Sequence, residues 1–363
     1  MKDLLKKDLI DIRNMTRKGL EAWAEGQGLQ PFRGRQIFKW LWLDRPAAFR
    51  DFTDISKGLR AQLEEQFFLY DLVAVSKQVS RDGTIKWAFR LSDGETVESV
   101  LIPEADHTTL CLSTQVGCRM GCRFCLTARM GFSRNLTASE IAGQALAAIR
   151  LLKEGSPAIQ RPRNIVFMGM GEPLDNLSNL IAAIEILTDE LGLNFSLRRI
   201  TVSTSGLVPE MIELGKALDI GLAVSLHATT NQVRDRLMPI NRRFPIERLM
   251  KGCRDFPMSK RRRITFEYLM LKGINDSVDD ARRLVRLLKG IPSKVNLIPF
   301  NPCPELPFEA SDKEAIARFQ EILKGANLTA IIRKSKGQDI LAACGQLNSR
   351  LSRRMARIEP QAA

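Results

Sequence analysis

The chain reads as an α/β protein built on an open or partial barrel of six strand–helix units. A small helical domain and a β-hairpin precede the barrel. Three observations carry this expectation. Short apolar runs alternate with amphipathic stretches along the central two-thirds of the sequence, which implies parallel strands joined by right-handed helical crossovers. The first 60 or so of the 363 residues carry helical periodicity instead. Between the two regions, runs of near-alternating residues flank a Ser-Asp-Gly turn.

In the first region Thr16 can cap a helix from Arg17 to Gly26, and Gly34 precedes the apolar-and-basic run Arg35 to Trp42. Trp40 and Trp42 interleave with Arg33, Arg35 and Lys39. That pattern suits base stacking with phosphate contact, or equally the core of a small helical domain. The hairpin joins Thr84–Leu91 to Thr96–Ile102 through Ser92-Asp93-Gly94 and reads as a connector. The barrel strands are expected at Leu110–Val116, Asn164–Met168, Arg199–Thr204, Ile220–Leu226, Ile264–Met270 and Val295–Phe300. Helices are clearest at Thr137–Leu152, Asp175–Leu191 and Ser277–Leu288. The expected division is 1–70 helical, 71–103 hairpin, 104–337 barrel and 338–363 a C-terminal segment. In such barrels functional groups gather at the carboxyl ends of the strands.

The bulk numbers narrow the function. Lys and Arg number 55 against 41 Asp and Glu, for a net charge of +14, so the surrounding field favours polyanions. From Arg242 to Arg263 nine basic residues face two acidic ones, ending in Lys260-Arg261-Arg262-Arg263, and the tail adds Arg350, Arg353, Arg354 and Arg357. Either run alone suits a solvated helix face; together they make a nucleic acid the expected partner. No apolar run approaches the roughly 18 residues of a membrane span, and Met1 to Lys7 carries no secretory pattern. A cytoplasmic protein with no membrane partner is expected. In that reducing setting seven cysteines point to metal ligation or catalysis rather than a disulfide framework.

Cys118, Cys122 and Cys125 form a C-x3-C-x2-C set directly after the first barrel strand. Thiolates suit iron–sulfur clusters and zinc, but a structural zinc site would want a fourth Cys or His nearby, and none follows locally. The segment resembles the signature of the radical S-adenosylmethionine (SAM) superfamily. There three cysteines hold a [4Fe–4S] cluster whose open iron chelates the amino and carboxylate groups of SAM. Phe124 matches the family's apolar position beside the SAM adenine. Gly169-Met170-Gly171-Glu172-Pro173 resembles its segment at the SAM amino group, where a carboxylate and free carbonyls suit an ammonium. Ser203, Ser225-Leu226-His227 and Asn301 fall in order at later strand ends. Each taken alone is ordinary, since glycines make turns and a single histidine is usually a core group.

The resemblance narrows further at Val97–Pro103, Leu110–Cys118, Gly169–Asn176, Ser225–Arg236 and Asp339–Leu347. These are similar to the RlmN/Cfr group of RNA adenine methyltransferases, and specifically to its carbon-2 branch, over nearly the whole chain. The resemblance implies a partial (β/α)6 radical SAM barrel with a small N-terminal helical domain. It also implies two SAM consumed per methylation. One methylates Cys344; the second, cleaved at the cluster, yields a radical that takes hydrogen from the S-methyl group. The resulting carbon adds to C2 of adenine, an electron-poor carbon that ordinary methyl transfer cannot reach. Glu98 then accepts the C2 proton and Cys111 attacks the Cys344 sulfur, leaving a Cys111–Cys344 disulfide for reduction. The implied substrates are 23S rRNA near the peptidyl-transferase centre and tRNA beside the anticodon. An electron donor such as flavodoxin or ferredoxin is implied, and a monomer suffices. Cys253 and Cys303 match no motif and read as buried small hydrophobes. Three other readings remain at this point: the carbon-8 branch of the same group, a radical SAM enzyme acting on a peptide or metabolite, and an RNA-binding protein with structural zinc.

Overall fold

The computed structural model describes residues 9–43, 46, 48–155 and 161–348. The tail arginines 350, 353, 354 and 357 lie outside the described residues.

The N-terminal domain packs three helices, α1 (Arg17–Gly26), α2 (Phe32–Trp42) and α3 (Lys57–Gln66), beside a short parallel pair, β1 (Ile10–Asp11) and β2 (Phe67–Phe68). Thr16 caps α1 as its sequence position suggests, its Oγ1 accepting the Gly19 N–H at 3.2 Å. Helices α1 and α2 cross closely at Gly34, where any Cβ would lie 2.5 Å from the Leu20 carbonyl. The tryptophans serve the domain's own packing. Trp42 is 1% exposed, and Trp40 stacks on Phe52 at 5.3 Å and donates to Asp54. The core reading of these two rings is thereby met, and Trp40 stays partly exposed. Arg35 and Lys39 of the same helix remain exposed.

A single ten-stranded sheet forms the rest. Its antiparallel part is a meander of β3 (Val73–Val79), β4 (Ile85–Arg90), β5 (Thr96–Pro103) and β6 (Thr108–Cys111). From β6 the sheet turns parallel through β9 (Asn164–Phe167), β10 (Ile200–Thr204), β11 (Gly221–Ser225), β12 (Ile264–Met270), β13 (Ser293–Pro299) and β14 (Thr329–Ile332). A separate two-stranded ribbon, β7 (Gln115–Gly117) with β8 (Phe132–Asn135), brackets the three-cysteine segment and the one-turn helix α4 (Leu126–Arg129). The crossovers are α5 (Ala138–Gly155), α6 (Leu177–Thr188), α7 (Val208–Ala217), α8 (Asn231–Leu237), α9 (Ile246–Asp255), α10 (Val278–Leu288) and α11 (Lys313–Gly325).

Three features differ from the sequence reading. The hairpin expected as a connector is hydrogen-bonded to the barrel sheet through β5 and β6, so both parts share one core. The strand expected at Leu110–Val116 is divided: β6 stays in the sheet, and β7 peels away to pair with β8. A seventh parallel strand, β14, follows α11 at the sheet edge; only Thr329-Ala330-Ile331-Ile332 spans it, too short a run to register as a strand.

The basic run from Arg242 to Arg263 is also split by the fold. Lys260 to Arg263 immediately precedes β12 and therefore sits at the amino ends of the parallel strands. Arg242 and Arg243 lie in the connection after α8, on the opposite side of α9 in sequence, and both are exposed. Arg262 is engaged with Asp219 at 2.9 Å.

Candidate functional site

The carboxyl ends of the parallel strands surround a cavity of about 920 Å³, counting its open mouth. Its wall includes Cys118, Cys122, Phe124, Cys125, Gly171, Glu172, Ser203, Ser225, His227 and Cys344. Ten of the fourteen residues singled out in the sequence therefore converge here, from segments more than two hundred positions apart.

The cysteine segment is pinned by its own backbone. The Cys118 N–H donates to the Gly131 carbonyl at 3.0 Å, Arg123 N–H to Leu237 at 3.0 Å and Cys125 N–H to Cys122 at 3.2 Å. Burial pushes the Cys118 thiol up to about 12 and raises those of Cys122 and Cys125 as well. Such thiols stay protonated until a metal takes the proton's place. Among the described residues no three Cys, His, Asp or Glu side chains converge on a point that would hold a single ion. Cys344 shares the cavity without completing such a set. Three thiols that each bind a different corner of a cubic cluster need not converge, so the arrangement fits a [4Fe–4S] cluster better than zinc.

Opposite these thiols stands Glu172. Its Oε2 accepts the Ser205 N–H at 2.7 Å and its Oε1 the Leu174 N–H at 3.2 Å. Burial raises its carboxyl, and these hydrogen bonds oppose that shift. Gly171 makes the turn possible: its φ is +101°, and a Cβ would lie 2.6 Å from Gln115. Gln115 Oε1 in turn accepts the Glu172 N–H at 2.9 Å. Ser203 donates to the Phe167 carbonyl at 2.9 Å.

His227 adopts φ +55°, a left-handed conformation rare outside glycine and found preferentially at functional sites. Its Nδ1 accepts the Leu269 N–H at 3.0 Å, and its ring meets Phe124 edge-on at 4.8 Å. Burial depresses the imidazole to about 3, with the Arg234 charge adding to the effect, so the ring is neutral. Phe124 and His227 together give the cavity an aromatic corner.

Four of the singled-out residues stand off the wall. Leu226 is fully buried; its N–H donates to Glu267 and its carbonyl accepts from Arg234. Asn301 Oδ1 accepts from Gln338 Nε2 at 2.6 Å, which places it at the root of the C-terminal segment. Cys111 ends β6, paired with Val100 and Val166; burial and the nearby Cys344 push its thiol up to about 12. Glu98 on β5 is 0% exposed and takes the Asn348 N–H on Oε2 at 2.8 Å.

Cys344 rides on a strap, residues 337–348, that crosses the barrel mouth. The Leu126 N–H donates to the Gly345 carbonyl at 2.7 Å, and Thr127 Oγ1 to the Leu347 carbonyl at 2.7 Å. The Cys344 side chain is exposed, but to the cavity. Enclosure by the surrounding protein raises its thiol, and the Glu267 carboxyl adds to the rise. All seven cysteines are free thiols in this structure. Cys253 and Cys303 are buried away from the cavity wall; Cys253 packs as a small hydrophobe, whereas the Cys303 thiol also donates to Glu305 Oε2.

Sequence reasoning missed three charged residues. Glu267 lines the cavity, hydrogen-bonded by Asn296 Nδ2 at 2.9 Å and raised by burial to about 7. Its signal was a lone acid inside the otherwise uncharged strand Ile264–Met270. Arg234 is fully buried and clamps the carbonyls of Ser205, Ser225 and Leu226, so one guanidinium ties the ends of β10 and β11 together. Lys86, also buried, pairs with Glu98.

Comparison with known proteins agrees with this geometry. The radical SAM superfamily model matches residues 112–287, and the N-terminal domain model of ribosomal RNA large subunit methyltransferases matches residues 10–69. The chain is 53% identical over 345 residues to the dual-specificity RNA methyltransferase RlmN of Geotalea uraniireducens, covering 95% of this chain and 98% of the relative. It is 51% identical to RlmN of Geobacter sulfurreducens, covering 94% and 93%. A crystal structure of a radical SAM methyltransferase from Sphaerobacter thermophilus superposes with a TM-score of 0.85 at 43% identity, covering 94% of this chain and 99% of that one.

Two outcomes follow from the thiols and the histidine. Anaerobic reconstitution should give about four iron and four sulfide per chain. Substituting Ala for Cys118, Cys122 or Cys125 should abolish that loading, whereas Cys253→Ala and Cys303→Ala should keep it. Because His227 is held near 3 in the folded chain and titrates near its ordinary 6.5 when unfolded, its contribution is complete above about pH 6.5 and lost as pH falls. Urea unfolding from pH 6.5 downward should show the wild type losing stability faster than His227→Asn, by up to about 1.4 kcal/mol per pH unit.

Proposed function

This chain belongs to the RlmN family of radical SAM enzymes, and on that premise we propose that it methylates C2 of adenosine in 23S rRNA and tRNA, with Cys344 as the covalent carrier of the methyl group. The observation that supports this most is the position of Cys344. Its thiol opens into the cavity that the three cluster thiols line, on a strap whose far end is bonded to Glu98.

Cys118, Cys122 and Cys125 would hold the [4Fe–4S] cluster. Glu172, oriented by the Ser205 and Leu174 amides, receives the ammonium of SAM beside the turn at Gly171. Phe124 and the neutral His227 would flank the adenine of bound SAM, and Ser203 and Ser225 would offer hydroxyls to its polar groups. Leu226 and Asn301 belong to the same proposed SAM-binding set, Leu226 held by the Arg234 clamp and Asn301 by Gln338 at the strap root. When bound, the cluster and SAM supply a carbon radical strong enough to activate an otherwise inert S-methyl group.

The protein's own groups do the remainder. Cys344 presents the one-carbon unit to C2. Glu98 takes the C2 proton and the C–H bonding pair stays in the ring. The one electron left over from the radical addition would pass to a one-electron acceptor, a role the oxidised cluster would fill. Cys111 then attacks the Cys344 sulfur. The carbon–sulfur bond breaks with its pair on carbon, which gains a proton to complete the methyl group, and the two sulfurs are left as a disulfide. Two electrons and two protons from a cellular reductant return the disulfide to thiols, and a flavodoxin or ferredoxin is the electron donor of the proposed cycle. The buried Cys111 thiol, pushed up to about 12, must lose its proton for this attack.

The target base must leave its stack to enter the cavity. Residues 1–70 and the exposed Arg242 and Arg243 are the surfaces that grip the RNA backbone. The Lys260–Arg263 cluster, at the amino ends of the strands, faces away from the cavity mouth. No helix among the described residues is long and apolar enough to cross a membrane.

Cys111→Ala should trap the reaction before release. The variant, isolated from cells, should carry an RNA fragment joined through Cys344, seen by mass spectrometry of the tryptic peptide. Failure to find the adduct with the cluster intact would contradict the assigned roles.

A further inference from the structure

Two charged side chains lie buried beneath the strap. Lys86 on β4 is 5% exposed, and Glu98 on β5 is fully buried. The Lys86 Nζ stands 3.4 Å from Glu98 Oε1 and donates to the Leu341 carbonyl at 3.3 Å. Glu98 Oε2 meanwhile accepts the Asn348 N–H at 2.8 Å. One ammonium thus grips the strap three residues before Cys344, and its carboxylate partner grips it four residues after.

The strap is fixed at its entry as well. Asp82 accepts the Gly337 N–H, and Asp339 accepts from Ser80 Oγ and the Arg81 N–H. Leu341, whose carbonyl Lys86 holds, is left-handed at φ +51°, a conformation that needs its surroundings to keep it in place. Burial works against the ammonium, and Glu98 offsets this. For stability alone a well-packed apolar pair would serve as well as these two charges. The pair is also unnecessary for strand pairing, because β4 and β5 register through their backbones.

Resting on the proposed roles of Cys344 and Glu98, we propose that Lys86 is a positioning residue for methyl transfer, holding the proton acceptor and the carrier strap in one fixed relation by bridging Glu98 and the Leu341 carbonyl. Lys86 touches neither SAM nor the target base. Its effect is exerted when the C2 proton must pass to a Glu98 oxygen while the new carbon is still bonded to Cys344. Without the bridge, the carbon–carbon bond still forms, but the acceptor and the tethered base no longer share a frame. The adduct should therefore persist.

The experiment uses the full-length, iron-loaded enzyme with tRNA, with Cys111 intact. In Lys86→Met, SAM cleavage should continue and the Cys344–RNA adduct should rise at least about tenfold above wild type, the scale of a displaced general base. Lys86→Arg, which keeps the charge and a donor, should restore most of the release. Cys111→Ala and Glu98→Gln serve as controls. If neither control traps an adduct, the underlying reading of Cys344 and Glu98 fails, whatever Lys86 does. If both controls trap it and Lys86→Met does not, Lys86 is merely structural and the inference is overturned. Should Lys86→Met lose iron, Lys86→Gln, neutral but able to donate to Leu341, stands in with the same expectation.

Discussion

The structure depends on how residues 337–348 are docked across the barrel mouth. Cys344 is separated from Cys125 by the whole barrel in sequence, yet Gly345 and Leu347 are hydrogen-bonded to Leu126 and Thr127, the residues directly after Cys125. The Cys344 sulfur, the proposed carrier, is thereby referred to the same short segment that bears Cys118, Cys122 and Cys125. At its other flank the strap is bonded to the β3–β4 turn through Asp82 and Asp339 and to Glu98 through Asn348. The antiparallel extension of the sheet supplies those anchors. Its continuity with the barrel through β5 and β6 is what makes the anchoring rigid.

Burial sets the chemistry inside that frame. It keeps the cluster thiols and Cys111 protonated until metal binding or turnover calls for the thiolate, and keeps His227 neutral against the aromatic face of Phe124. Buried charges that remain have defined partners. Arg234 spends its donors on three carbonyls and Asn241, so β10 and β11 end at a common level. Glu172 takes two backbone amides, and Glu267 takes Asn296. The carboxyl ends of the parallel strands can accommodate these groups because their carbonyls and loops face the cavity rather than solvent.

Much of this was legible in the chain because it is local. The thiol spacing of Cys118, Cys122 and Cys125, the glycine-bearing turn before Glu172 and the six strands leave marks within a few residues of one another. Other features are not local and left little trace. Lys86 sits in an alternating strand like any solvent-facing lysine, and only the arrival of Leu341 from 255 positions away shows that it is buried. Trp40 and Trp42 carry the same composition whatever they pack on, and only the fold shows Trp40 stacked on Phe52 and Trp42 tilted against Phe38. The basic run from Arg242 to Arg263 looked like one surface, but α9 carries the chain from one end of the barrel to the other and separates its two halves. Asn301 follows β13, and its bond to Gln338 at the root of the strap is a contact that its sequence neighbours do not announce.

The central claim is that the methyl carbon travels through Cys344 rather than passing straight from SAM to RNA. Supplying SAM with a fully deuterated methyl group over several turnovers, in ordinary water, tests it directly. Carriage through Cys344 removes one deuterium from the S-methyl group and adds a solvent proton at release. The 2-methyladenosine product should then carry two deuterium atoms in its methyl group. A product retaining all three would contradict the account.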